Sequence, residues 1–130
     1  MKRLELHSGV LILAGLTATA IGSYIALAPL AFYEGYNLPL AGSIDMLSEL
    51  RATGTNLAAL GAVMVFGALK TSLRPLALAT SLIVFSAFTG GRLLSLLIDG
   101  QPGSGVLLAL LIEATLASLC LLAFLRHRAA

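Results

Sequence analysis

Four long apolar runs, each closed by a short polar or turn-forming stretch, fill almost the whole chain. The first extends from about Ser8 to Ala28 and is stopped by Pro29. Its roughly 21 residues give about 30 Å at the helical rise, enough to cross a hydrocarbon core. Between Pro29 and about Ile44, Phe32, Tyr33, Glu34, Tyr36, Asn37, Pro39 and Gly42 follow one another with almost no periodicity, which predicts an interfacial loop. With Tyr24 just before them, these rings suit the headgroup level, where an aromatic face stays apolar and a hydroxyl stays wet. A belt of this kind is favoured over a binding platform. A second helix opens near Ser43 or Asp45, whose side chains can accept from the free N–H groups of a first turn, and runs to about Leu69. Lys70, Ser72, Arg74 and Pro75 then form a short basic turn. The third run, Leu76 to Ile98, holds one charge, Arg92, and ends in the turn signal Asp99-Gly100-Gln101-Pro102-Gly103. The fourth, from about Ser104 to Leu125, holds Glu113 and stops at Arg126-His127-Arg128. The pattern predicts an all-α fold: one domain over residues 1–130, an integral membrane four-helix transmembrane bundle with helices at about 8–28, 45–69, 76–98 and 104–125.

Composition agrees with the pattern. With 58% hydrophobic and 11% charged residues and a mean hydropathy of +0.99, the chain lacks the polar surface that coats a soluble domain. The net charge of +2 does not point to nucleic acid, because the basic residues are scattered at segment ends rather than gathered on one face. Their distribution predicts orientation instead. Lys2 and Arg3, Lys70 and Arg74, and Arg126 and Arg128 mark one side as cytoplasmic, while Glu34, Asp45, Glu49 and Asp99 fall on the other, so both termini are expected inside. A cleavable signal peptide is the competing reading of the first run, since Ala26-Leu27-Ala28 looks like a cleavage site. Its removal would leave three spans and break the charge pattern.

Two charges lie where hydrocarbon is expected. A charged side chain at a helix centre costs roughly 2.5–3.5 kcal/mol on insertion scales, so each needs a partner or a water-filled cavity. Moving Arg92 to the outer interface would leave Leu93 to Ile98 in water and shorten the span to about 24 Å. Counted along the helices, Arg92 lies roughly 10 Å below the outer end of the third and Glu113 about 14 Å below the start of the fourth. A short turn makes these helices antiparallel neighbours, so an ion pair between the two residues is geometrically sound. Glu49, Arg51, Asn56 and the adjoining threonines of the second helix could extend it into an outer-half polar network reaching Asp99. Two readings of that network stay open. It is either a buried salt bridge that fixes helix register, or the lining of a cavity in which Arg51 and Arg92 present donors to an anionic or carbonyl-bearing ligand.

Other chemistry is thin. His7 and His127 lie near opposite chain ends and read as solvated interface histidines rather than metal ligands, and no metal or cofactor is expected. The nucleophile, zinc, thiol-pair and phosphate-loop motifs GxSxG, HExxH, CxxC and GxxxxGK[ST] are all lacking, so a noncatalytic role is expected. Cys120 sits in an apolar run and has no partner cysteine. Small residues at Gly15, Thr19 and Gly22, and at Gly54, Ala58 and Ala62, predict close helix contact in lipid.

Glu49-Leu50-Arg51-Ala52-Thr53-Gly54, Gly91-Arg92, Asp99-Gly100-Gln101-Pro102 and Glu113 together resemble the bacterial domain of unknown function 4345 family, small four-helix membrane proteins distantly similar in layout to DoxX-like proteins. The likeness covers nearly the whole chain. It implies a four-helix bundle in a bacterial inner membrane and brings no reaction, ligand or cofactor. The expected function is a binding or accessory bundle for a lipophilic small molecule or a membrane partner, with the lipid bilayer as its surroundings and homo-oligomers compatible with its size. One alternative is a small proton-coupled transporter using Glu113, although an arginine partner would compete with the proton. A second, by analogy of layout alone, is a membrane subunit of a quinone-linked enzyme.

Overall fold

A computed structural model describes residues 2–129, with side chains from Glu5 onward. It contains α1 (Lys2–Leu27), the short α2 (Pro29–Glu34), α3 (Ile44–Leu69), a 3-10 turn (Thr71–Leu73), α4 (Arg74–Ile98) and α5 (Ser104–Arg128). Four helical segments are long and apolar enough to cross a membrane, Glu5–Leu27, Ile44–Leu69, Thr71–Ile98 and Ser104–Arg128. The chain is a multi-pass membrane protein built as an all-α four-helix bundle. α1 starts well before its apolar run, α5 ends beyond its own, and α3 and α4 start only slightly early, because hydropathy marks the hydrocarbon segment while the backbone keeps its own hydrogen bonds into the interface. The side chains of Lys2 and Arg3 lie outside the described ones.

Local chemistry sets the boundaries. Ser43 caps α3, its hydroxyl accepting from the Met46 N–H at 3.3 Å. Pro29 has no N–H to continue α1, so the chain turns at Ala28 and restarts as α2 with Pro29 at its first position. The segment expected as a loop therefore begins with a helical turn. Asn37, at φ 56°, then reverses the chain, a conformation that asparagine tolerates better than most residues.

The long helices form a ring in which α1 packs on α3, α3 on α4, α4 on α5 and α5 on α1, with α1 and α3 in the most extensive contact. Backbones touch directly there. A Cβ at Gly54 would fall 2.6 Å from the Ala26 nitrogen and 2.7 Å from the Gly22 carbonyl oxygen, and one at Gly61 would fall 2.8 Å from the Gly15 oxygen. The small-residue row on α3 is thus Gly54, Ala58 and Gly61. Ala62, expected in that row, is only half-buried, because the 3.6-residue period puts the next contact one residue earlier.

Packing differs between the two halves. Leu11, Met64, Leu78 and Cys120 are fully buried and close the half where α1 begins, α3 ends, α4 begins and α5 ends. In the other half α1 and α3 stay in contact at Gly22 and Gly54, but the four helices leave a partly open cavity among them.

Candidate functional site

The cavity measures about 530 Å³, within the range of small-molecule sites. All four long helices and the segment around α2 supply its walls. Ile21 and Ile25 come from α1, Leu57 from α3, Phe85 and Phe88 from α4, and Leu116 from α5. Thr17 and Thr53 also line it, but their hydroxyls donate to the carbonyls of Leu13 and Glu49 one turn back, at 2.8 and 2.9 Å. What remains is an apolar chamber with a small polar region.

That polar region is the ion pair. Arg92 Nε–H donates to Glu113 Oε2 at 2.6 Å and Nη2–H donates to Oε1 at 3.0 Å, a two-pronged arrangement that matches the planar guanidinium to the carboxylate. The side chains are 30% and 15% exposed, and both line the cavity. Two of the five guanidinium N–H groups are thereby engaged, and the other three have no partner among the described residues.

Phe32, Tyr33 and Tyr36 form the end wall. Their rings stack as a cluster, with Phe32 centroids 5.1 Å from both tyrosines and 5.4 Å from Tyr24. Tyr36 lies against the start of α5, so close that a Cβ at Gly105 would come 3.2 Å from its ring. Burial pushes the Tyr33 phenol above its usual range and outweighs the nearby Arg92 charge, which pulls the other way. Tyr33 is therefore a neutral hydroxyl at physiological pH. These rings do more than form a belt, since three of the four expected at the headgroup level close the cavity.

The remaining residues of the expected network go elsewhere. Arg51 is exposed and donates through Nη1 to the carbonyls of Ala26 and Leu27 at 2.5 and 3.0 Å. Those carbonyls end α1 and lose their helical partners where Pro29 turns the chain. Asp99 accepts from Ser95 Oγ at 2.8 Å, a local contact at the exposed end of α4. Glu49 and Asn56 are exposed on α3 and make no side-chain contact with Arg92 or Glu113 among the described residues. The extended network thus reduces to Arg92 and Glu113, because the face α3 turns to the cavity carries Thr53 and Leu57 instead.

Two further expectations are revised at the opposite end. Arg74, expected in the short basic turn, opens α4 and is buried, and it donates through Nη2 to Ser8 Oγ at 3.0 Å and the Ala68 carbonyl at 3.3 Å. It thus serves the carbonyl end of α3, where a cation suits the helix dipole. His7 is buried as well, its ring edge-on to His127 with centroids 5.4 Å apart, because α1 and α5 begin and end side by side. Among the described residues no group of three or more His, Cys, Asp or Glu side chains is placed to hold a metal ion.

In comparison with known proteins, the family model described as Domain of unknown function (DUF4345) matches residues 7–124. No curated protein and no solved structure matches the chain.

Proposed function

The chain belongs to the domain of unknown function 4345 family, and from that premise we propose that it is a noncatalytic bundle of the bacterial inner membrane whose cavity holds a lipophilic small molecule. Both termini face the cytoplasm in this reading, as the lysine and arginine residues at that end of the helices favour. The supporting observation is a two-pronged ion pair in the wall of a mostly apolar cavity of about 530 Å³. A salt bridge that only fixed register would be best served by side chains packed around it, as in the other half of the bundle. Here open space adjoins it, with unused guanidinium donors on one side and aromatic rings on another. Transport through Glu113 is less well supported, since both of its carboxylate oxygens are already engaged by Arg92.

The test is chemical. The protein is taken from its membrane in lipid patches, and the small molecules held by it are identified by mass spectrometry beside those held by Gly91→Leu. Gly91 lines the cavity and a Cβ there meets nothing within 4 Å, so a larger side chain can be started at this position without its Cβ striking a neighbour. A lipophilic species retained by the wild type and lost from the variant is expected. Equal retention by both, or none by either, contradicts the proposal.

A further inference from the structure

We propose that the cavity selects an uncharged lipophilic molecule bearing a carbonyl-type hydrogen-bond acceptor, and discriminates against anionic and cationic amphiphiles of the same shape. This inference rests on the reading of the cavity as a ligand site and adds the chemistry of its occupant.

The charge balance of the lining carries the argument. Arg92 and Glu113 are the cavity's charged residues among the described ones, and they neutralise one another at 2.6 and 3.0 Å. An anion drawn to Arg92 would meet the Glu113 carboxylate on the same guanidinium, and a cation drawn to Glu113 would meet Arg92. In an apolar surround either adds a net charge that nothing opposes. A neutral ligand adds none.

The hydrogen-bonding inventory then fixes the ligand's polar group. Arginine only donates, and three of its N–H groups remain unused beside the cavity. The hydroxyls of Tyr33 and Tyr36, at the end wall, can donate too. Thr17 and Thr53 spend their O–H donors on their own helices. The unspent groups that carry the guanidinium's positive charge are therefore donors, and the group that complements them is an acceptor such as a ketone, aldehyde, ester or amide carbonyl. The rest of the molecule faces Ile21, Ile25, Leu57, Phe85 and Phe88, and must be hydrocarbon or a flat ring. A volume of about 530 Å³ suits one ring system or one chain rather than a bulkier lipid.

The chain has no tryptophan, so tyrosine fluorescence reports on the end wall. A Tyr24→Phe background leaves the two cavity tyrosines as the only ones. In uncharged-detergent micelles, this protein is titrated with a long-chain methyl ketone, the carboxylate and the trimethylammonium compound of equal chain length, each brominated to quench tyrosine. Saturable quenching by the ketone is expected at a concentration at least about tenfold below that of either charged probe. Glu113→Gln should move the preference to the carboxylate, and Arg92→Gln to the ammonium. If either charged probe binds the unaltered pair as tightly as the ketone, the inference is overturned while the cavity remains a ligand site. If no probe quenches saturably, or Gly91→Leu leaves the quenching unchanged, the site itself is wrong and both readings fall. The ranking in the protein with its ion pair intact decides the matter even where a glutamine variant does not fold.

Discussion

Arg92 and Glu113 are tolerated inside apolar helices because each supplies what the other lacks. Alone, either would leave a charge in a medium that cannot solvate it. Together they form two short hydrogen bonds and cancel in charge. This pair was legible in the sequence because depth along two helices joined by a short turn is simple arithmetic, and both residues interrupt otherwise unbroken apolar runs. The role of Arg51 was not. Its partners are backbone carbonyls freed by Pro29, and proximity to a helix end distant in sequence is a tertiary fact that charge patterns do not carry. Arg74 escaped for the same reason, its partner Ser8 lying at the far end of the chain's first helix. The pair makes a quantitative prediction. In detergent unfolding experiments Arg92→Ala and Glu113→Ala should each destabilise, and the double variant should recover about 1–3 kcal/mol relative to their sum. Strict additivity would mean that the two side chains do not interact.

At the scale of elements, the contact between α1 and α3 depends on backbones that meet where no side chain intervenes. Small residues at helical spacing announced that contact, and Gly15, Gly22 and Gly54 take the places expected of them. The exchange of Ala62 for Gly61 was beyond the sequence, since both residues are small and only the crossing of the helices decides which one faces the partner. The space around each glycine separates packing from propensity. Gly54→Ala drives a Cβ against the backbone of α1, so it should destabilise by about 1–3 kcal/mol, the usual cost of overpacking. Gly90→Ala puts a Cβ where nothing lies within 4 Å and should stabilise by up to about 1 kcal/mol through helix propensity. Thermal unfolding of the two variants in the same detergent compares them, and a shared sign would remove the distinction. The short helix α2 is the element the pattern concealed. Its six residues are too few to show a period, and its rings suit a headgroup region as well as a cavity wall.

The whole molecule is a bundle with one closed half and one open half. Buried leucine, methionine, alanine and cysteine side chains close the half that bears Lys70, Arg74, Arg126 and Arg128. Around Arg92 and Glu113 in the other, α1 and α3 keep their contact while the four helices leave a space among them, which the aromatic segment between α1 and α3 walls at one end. Four spans and their order were plain from hydropathy, because a bilayer imposes length and apolarity on each segment separately. The cavity was not, since the same apolar residues can fill a core or line a void, and only the helix paths distinguish the two. The most direct test is a density map of the protein in native lipid at a resolution that shows side chains. The account predicts guanidinium and carboxylate within about 3 Å, as charge-assisted hydrogen bonds require, and density for an added molecule between Arg92 and the Tyr33–Tyr36 wall. Arg92 and Glu113 turned apart, with neighbouring side chains collapsed into the space between the helices, would contradict it.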